Sequence, residues 1–167
     1  CYSLIFSGSA SVYESKGMKL LKESDAIKPI SPYGKTKLCI EEILGDLYAA
    51  EDNWRIASLR YFNPVGAHHS GLIGEKPHGI PNNLMPYILE VISGNLEELN
   101  IYGDDYDTKD GTGERDYIHV VDLAKAHVAA LNYSNSKYVN DFINIGTGSS
   151  ISVPVSYTHL TLPTIDR

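Results

Sequence analysis

The sequence has few features of a secreted, membrane or nucleic-acid-binding protein. It contains two cysteines, Cys1 and Cys39, among 167 residues, too few for a disulfide or zinc framework, and we expect both thiols to be inert. No apolar run approaches the roughly 20 residues that a membrane helix needs. The formal net charge of −7 argues against nonspecific binding to nucleic acid or to an anionic membrane. These absences predict a globular cytoplasmic protein.

The first residues lack an initiator methionine and a basic leader. The chain begins at Cys1 inside the apolar run "CYSLIFSG", which has no signal-peptide pattern. We therefore expect a fragment of a longer protein rather than a secreted chain.

Strand and helix patterns alternate in the first part of the chain. Residues 3–7 predict a buried strand, and apolar residues recur at helical spacing from Pro32 to about Ala50. Residues 54–62, "WRIASLRYF", predict a second buried strand that Asn63-Pro64 should stop. The order strand, helix, strand predicts an α/β fold with a doubly wound parallel sheet.

The later elements are less regular. Residues 63–83 form a loop rich in Gly, Pro, Asn and His, which is typical of a functional or a disordered segment. We predict helices over 84–93 and 121–133, and strands over 99–102, in "YIHV" and in "FINIGTG". From Pro154 neither period continues, so 154–167 should be a non-native tail without regular structure.

The stretch "SPYGKTK" places a tyrosine and a lysine where a helix begins. Ser31 can accept an N–H of the first turn, and Pro32 suits the first helical position. On this helix Tyr33 and Lys37 lie on one face, a turn apart. Because an ammonium group favours a neighbouring phenolate, the pair suits removal of a proton from an alcohol while a nicotinamide takes the hydride.

Spacing alone does not establish a catalytic pair. Tyr133 and Lys137, in "YSNSK", repeat the spacing at the end of a surface helix. Only the first pair has a serine-rich strand end before it, with Ser9 beyond the carboxyl end of the first strand, where ligands bind in open α/β sheets. The alternative to a catalytic site is a helix-surface pair beside a strand-end turn.

Five stretches together carry a family resemblance: "SASVY", "SPYGKTK", "RYFNPVGAH", "GIPNNLMPYI" and "DGTGERDYIHVVDLA". In order and spacing they resemble the UDP-glucose 4-epimerases of the extended short-chain dehydrogenase/reductase superfamily. The resemblance covers Tyr2 to about Val153. Related sugar dehydratases carry a Thr-Asp-Glu type triplet near Ser9, whereas Ser9-Ala10-Ser11 contains no acid, which disfavours elimination chemistry.

The resemblance implies a role for each reactive residue. Tyr33 matches the base that deprotonates the sugar 4-hydroxyl, and Ser9 matches the serine that hydrogen-bonds the reacting oxygen. Lys37 matches the lysine that binds the nicotinamide ribose and assists the tyrosine. Phe62 matches a further cofactor contact. NAD is then a bound cofactor that each turnover regenerates.

The resemblance also implies contacts to a UDP-sugar. A helix N-terminus and a forked guanidinium both suit phosphate. Read without the family, the same positions are a strand-stopping turn, a helix cap, a packed tyrosine and a surface ion pair. The implied substrate residues are Asn63, Asn83, Leu84, Asn100, Tyr102 and Arg115, together with Ser9 and Tyr33.

We predict no metal site. His68, His69 and His78 lie in one irregular loop without carboxylates at ligand spacing. The acidic stretch "DDYDTKD" lacks the central glycine and closing glutamate of a calcium loop. We therefore interpret it as a solvated loop.

The sequence departs from the family because it has no glycine-rich turn for a pyrophosphate. "GTGERD" and "GTGSSI" both fail at the last glycine. We expect 1–63 to be the C-terminal part of an NAD-binding Rossmann domain and 64–153 to be a substrate region interleaved with returning Rossmann elements. The fold would be a partial Rossmann-type sheet with part of a smaller α/β region, and the full-length protein a homodimer.

Three functions remain open. The first is interconversion of UDP-glucose and UDP-galactose by a complete protein, with this segment inactive alone. The second is a related epimerase acting on UDP-N-acetylhexosamines or UDP-pentoses. The third is a truncated, non-catalytic binding module, which would tolerate loss of Ser9, Tyr33 and Lys37. The presence of all three favours an enzyme.

Overall fold

The structure is a computed structural model of the chain. It describes residues 2–14, 20–79, 81, 83–137 and 139–161, without the side chains of 159–161. Among the helices in these ranges, none combines the length and apolar character needed to cross a membrane. The strands are β1 (Ser3–Ser7), β2 (Arg55–Tyr61), β3 (Asn63–Val65), β4 (Glu114–His119), β5 (Asn140–Ile145) and β6 (Ser150–Ser152). The helices are α1 (Pro32–Ala50), α2 (Leu84–Ile92), α3 (Val120–Ser136) and α4 (Val153–Thr161), with a short 3₁₀ helix at Ala10–Val12.

Strands β1, β2 and β5 form a parallel sheet with β2 in the centre. On one face of β2, Ala57 and Leu59 pack against Ala130 of α3. Arg60 points to the other face, because side chains alternate along a strand, and there it bonds to Glu41 of α1. Helices therefore cover both faces, which confirms the predicted doubly wound, Rossmann-type α/β fold.

The chain passes from this sheet almost directly into a second one. After Phe62, β3 pairs in parallel with β4, and β4 pairs antiparallel with β6. β2 ends before Asn63-Pro64, as predicted, but residues 63–65 form β3 rather than the start of the predicted loop. β3 is the edge strand in the order β3-β4-β6, and an edge strand tolerates proline, which cannot donate to a ladder.

Two further local predictions are wrong. Residues 99–102 form no strand and do not belong to either of the described sheets. Helix α4 forms over Val153–Thr161, where the pattern predicts no regular structure. Pro154 falls in its first turn, where no N–H is needed, and the Ser156 and Thr158 hydroxyls donate to backbone carbonyls of the preceding turn. Residues 162–167 of the predicted tail lie outside the described part. The other predicted helices and strands are confirmed with shifted ends.

Helix α1 begins as its sequence predicts. Ser31 Oγ accepts the Gly34 N–H at 3.0 Å, and Pro32 occupies the first turn. A Cβ added at Gly34 would lie 2.4 Å from the carbonyl oxygen of Ser11. The first turn of α1 therefore packs against the 3₁₀ segment with no side chain between them.

Replacement of this glycine should destabilise the chain. Gly34→Ala gains about 1 kcal/mol of helix propensity, but the clash with Ser11 displaces the helix at a cost of about 1–3 kcal/mol. Gly45→Ala is the matched control on α1, because its Cβ would come no closer than 3.8 Å to Asn140 Nδ2, and it should stabilise. Urea unfolding of both variants measures the difference. Equal stabilisation by the two substitutions would contradict the close contact at Gly34.

Candidate active site

Ser9 lies beyond the carboxyl end of β1, where the chain turns into the 3₁₀ helix. Its side chain is buried, and its Oγ accepts hydrogen bonds from the Ser11 N–H at 3.2 Å and the Ser11 hydroxyl at 2.8 Å. These two bonds fix the position of the oxygen. Since Ser9 is the acceptor in both, its own hydrogen is left for an oxygen bound at this strand end.

Tyr33 and Lys37 share one face of α1, as predicted. The Lys37 ammonium lies 5.5 Å from the Tyr33 ring centroid and 5.2 Å from the Phe6 ring centroid. It donates a 2.9 Å hydrogen bond to the carbonyl oxygen of Ser7. Tyr33 is 54% exposed, so a bound molecule can reach it. The lysine therefore ties α1 to the end of β1, next to Ser9.

A second phenol lies near this face. Burial raises the pKa of Tyr61, at the end of β2, and the charge of Tyr33 raises it further. The two phenols are thus within electrostatic reach of each other. Both effects favour the neutral phenol at Tyr61.

The second tyrosine–lysine pair has similar internal geometry but another place in the fold. Lys137 Nζ lies 4.9 Å from the Tyr133 ring centroid. Tyr133 donates a 2.6 Å hydrogen bond to Asp141, and this bond raises the pKa of Tyr133. The pair lies where α3 leads into the start of β5, at the amino edge of the parallel sheet. Position rather than spacing separates it from Tyr33 and Lys37.

A cleft of about 710 Å³ lies between β3, β4 and the start of α2. Its lining includes four predicted substrate residues, Asn63, Asn83, Leu84 and Arg115, and also Glu75. Asn83 is the N-cap of α2 but makes no capping bond with its side chain. The N-terminus of α2 and the Arg115 guanidinium both favour an anion here.

Arg115 and Asp116, adjacent on β4, contact different regions: the cleft and the turn after β5. Arg115 lines the cleft. The Asp116 carboxylate accepts the Thr147 N–H, the Thr147 hydroxyl and the Gly148 N–H at distances between 2.8 and 3.0 Å. The Asp116 carbonyl oxygen accepts from Asn63 Nδ2 at 3.0 Å. β4 therefore connects the turn after β5 with the cleft.

Three of the predicted residues lie neither in the cleft lining nor with Ser9, Tyr33 and Lys37 at the end of β1. Tyr102 is 87% exposed, and Asn100 is exposed on the same segment without a strand. Phe62 lies between the two sheets and packs against Gly146, where an added Cβ would be 2.7 Å from its ring. The structure thus gathers Ser9, Tyr33 and Lys37 at one strand end and four substrate candidates in the cleft.

The sequence analysis missed a buried charged pair. The side chains of Arg60 and Glu41 are 4% and 2% exposed. Burial lowers the pKa of Arg60, but hydrogen bonds to Glu41 and Tyr13 outweigh it, so the pKa of Arg60 is raised. The available signal was charge at positions where strand and helix patterns call for apolar residues. Glu75 and Tyr117, which line the cleft, were also missed, because neither belongs to a spacing pattern that indicates a binding site.

The histidines of the long loop contact each other and a hydroxyl. The ring centroids of His68 and His69 are 4.1 Å apart, and His68 Nδ1 lies 2.8 Å from Ser70 Oγ. Within the described ranges, no group of three or more His, Cys, Asp or Glu side chains is arranged to hold a metal ion.

Comparison with known proteins identifies the class. Residues 1–146 match the NAD dependent epimerase/dehydratase family, and the chain belongs to that family. It is 55% identical over 155 residues to the bifunctional UDP-glucose 4-epimerase and UDP-xylose 4-epimerase 3 of Arabidopsis thaliana, a match that covers 92% of this chain and 44% of that protein. It is 53% identical over 150 residues to the UDP-glucose 4-epimerase of Bacillus subtilis, covering 90% of this chain and 44% of the relative.

Solved structures give the same result. The UDP-glucose 4-epimerase of Stenotrophomonas maltophila, with bound NAD and formylated UDP-arabinopyranose, aligns with a TM-score of 0.91 at 50% identity, over 97% of this chain and 48% of the other. The enzyme of Bifidobacterium longum, in complex with NAD+ and UDP, aligns with a TM-score of 0.83 at 50% identity, over 92% and 46%. The predicted resemblance to UDP-glucose 4-epimerases is confirmed. The chain spans about half the length of the relatives it matches.

Proposed function

We propose that this chain is the catalytic segment of a UDP-glucose 4-epimerase, an isomerase that interconverts UDP-glucose and UDP-galactose by NAD-dependent oxidation and re-reduction at sugar C4. The observation that carries the proposal is the convergence of Ser9, Tyr33 and Lys37 at the carboxyl end of β1. The solved relatives with NAD and UDP or a UDP-sugar derivative support the substrate class.

Each reactive side chain has a proposed role. Tyr33, as a phenolate, takes the proton of the sugar 4-hydroxyl. Ser9 donates a hydrogen bond to the same oxygen and holds it near the phenol. The Lys37 ammonium stabilises the phenolate and, from its place at the end of β1, can also reach a ribose hydroxyl.

The residues at this edge fit the nicotinamide end of NAD. Lys37 offers hydrogen-bond donors, Ser9 lies beside it at the end of β1, and Phe62 offers an aromatic face at the end of β2. When bound, NAD would supply the acceptor and the donor of the hydride exchanged at C4 of the sugar. Because the sequence has no glycine-rich pyrophosphate turn, this segment supplies only part of the cofactor site.

The cleft is the proposed site of the UDP moiety. Arg115 and the N-terminus of α2 suit the diphosphate, and Asn63 and Asn83 can bond to the nucleotide sugar. Asn100 and Tyr102 are assigned to the uracil on the resemblance. The proposed substrate contacts are Ser9, Tyr33, Asn63, Asn83, Leu84, Asn100, Tyr102 and Arg115.

The complete protein is proposed to be a cytoplasmic homodimer of galactose metabolism. A UDP-pentose is a second candidate substrate, since the relative from Arabidopsis is named for UDP-xylose as well as UDP-glucose.

Activity tests require a complete enzyme, because the chain spans 44% of these relatives. We define the chimera as the Bacillus subtilis enzyme in which residues 1–146 of this chain replace the matching segment. Assays of the chimera with both nucleotide sugars decide between the substrates.

Loss of the Tyr33 hydroxyl should abolish turnover. In the chimera, Tyr33→Phe removes the base and should lower kcat by about 100-fold or more, while UDP affinity measured by calorimetry stays within twofold. Tyr133→Phe is the matched control, because it removes the phenol of the second pair at the amino edge, and kcat should be unchanged. Near-normal turnover in Tyr33→Phe would overturn the mechanism.

Loss of the Arg115 charge should weaken substrate binding. A hydrogen-bonded charged contact contributes about 1.5–3 kcal/mol, so Arg115→Leu should raise the KM for UDP-glucose by about tenfold to 100-fold with a smaller effect on kcat. Lys125→Leu removes another cation, one paired with Asp122 on the surface, and should leave KM unchanged. Equal effects of the two substitutions would show that Arg115 acts through net charge alone.

The 167-residue chain by itself should not epimerise UDP-glucose. It has no glycine-rich turn with which to hold the pyrophosphate of NAD. Incubation with NAD and UDP-glucose, followed by chromatography of the nucleotide sugars, checks this. Detectable UDP-galactose would mean that the segment is sufficient for catalysis.

A further inference from the structure

One guanidinium lies between the two segments that carry the reactive side chains. Arg60, on β2, donates from Nε to Glu41 Oε1 at 2.9 Å and from Nη2 to Glu41 Oε2 at 2.7 Å. Its third nitrogen, Nη1, donates to the Tyr13 hydroxyl at 3.0 Å. Glu41 belongs to α1, which carries Tyr33. Tyr13 is the C-cap of the 3₁₀ helix whose N-cap is Ser9.

Burial makes these bonds geometrically strict. Arg60 and Tyr13 are each 3% exposed, so water cannot replace a bond that lengthens. The guanidinium also lies 5.0 Å from the Tyr13 ring centroid and 4.3 Å from that of Phe142. A forked, charge-assisted pair fixes both distance and angle. Helix α1 therefore cannot rotate or slide on β2 without breaking the two bonds to Glu41.

The Tyr13 hydroxyl, which accepts from Arg60 on β2, also bonds to the neighbouring strand β5. The Tyr13 hydroxyl donates to Asn144 Oδ1 at 2.6 Å, and Asn144 lies on β5. The Asn144 amide in turn donates to the Leu21 carbonyl oxygen at 3.1 Å. The segment that begins at Ser9 is thus anchored to β2 and β5 at its far end.

We propose that Arg60 is a positioning residue of the catalytic centre, which sets the place of Tyr33 relative to Ser9 through its simultaneous bonds to Glu41 and Tyr13. This inference rests on the proposed function and names a residue outside its reactive set. A pair that served stability alone would need only Glu41. The third bond couples the helix to the serine segment, and a lysine, which lacks the planar fork, cannot reproduce all three bonds.

The first test measures catalysis by variants of the chimera. Arg60→Lys keeps the positive charge beside Glu41, and Tyr13→Phe keeps the ring but removes the hydroxyl. Since small misplacements of reacting groups are costly, each should lower kcat by about tenfold to 100-fold, with KM for UDP-glucose within twofold and a changed pH profile of kcat. The control, Leu59→Val, removes a methylene from the opposite face of the same strand, where Leu59 is fully buried. It should lower thermal stability but leave kcat and the pH profile unchanged.

The second test does not depend on turnover. Hydrogen exchange in the same chimeras reports two sets of bonded amides: Val12 and Tyr13 in the 3₁₀ segment, and Gly34 and Lys35 in the first turn of α1. Arg60→Lys should lower protection in both sets, and Leu59→Val in neither.

The outcomes separate this inference from the proposed function. The inference is wrong, and Arg60 is only structural, if Arg60→Lys and Tyr13→Phe reduce kcat no more than Leu59→Val does when variants of similar thermal stability are compared. If the unsubstituted chimera does not epimerise, the proposed function fails, and hydrogen exchange alone decides the coupling. Joint loss of protection in both amide sets would support it, and loss in one set or neither would overturn it.

Discussion

The approach of Gly34 to the Ser11 carbonyl oxygen sets the geometry at the end of the parallel sheet. With no side chain between them, the first turn of α1 and the 3₁₀ segment form one layer over the end of β1. Tyr33 immediately precedes the contact, so its phenol leaves the helix at the edge of the serine segment. Lys37 follows one turn later and reaches the Ser7 carbonyl. Close backbone packing therefore brings together the two segments that carry the proposed reactive groups.

The short connection between the two sheets links the carboxyl end of the parallel sheet to the cleft. β2 ends at Tyr61 and β3 begins at Asn63, so a single residue separates a central strand of one sheet from a strand that lines the cleft. At about 3.3 Å per residue, the two lie within about 7 Å of each other along the chain. The UDP-sugar proposed as substrate would bridge this short connection, with its sugar at the end of the parallel sheet and its diphosphate in the cleft.

The sequence predicted best those features that are decided within one segment. The capped start of α1 depends on Ser31 and Pro32 alone, and β1 on a short apolar run. Features that depend on a partner strand were mispredicted: residues 99–102 form no strand, and residues 63–65, predicted as loop, form β3. The cleft combines residues from β3, β4 and α2 that are distant in sequence, so the family resemblance, and not spacing, indicated them. The buried pair of Arg60 and Glu41 was missed: each residue interrupts an apolar pattern, but nothing in the sequence names one as the partner of the other.

The alternation of side chains along β4 sorts its charges. Arg115 faces the cleft, whereas the carboxylate of Asp116, next to it in sequence, is held by donors of Thr147 and Gly148 on the other side. Two opposite charges that are adjacent in the chain are thus prevented from neutralising each other as an ion pair. The cleft therefore contains the Arg115 guanidinium but not the Asp116 carboxylate. A polyanion entering the cleft would meet the Arg115 guanidinium, while the pleat of β4 keeps the repelling Asp116 carboxylate on the other side of the strand.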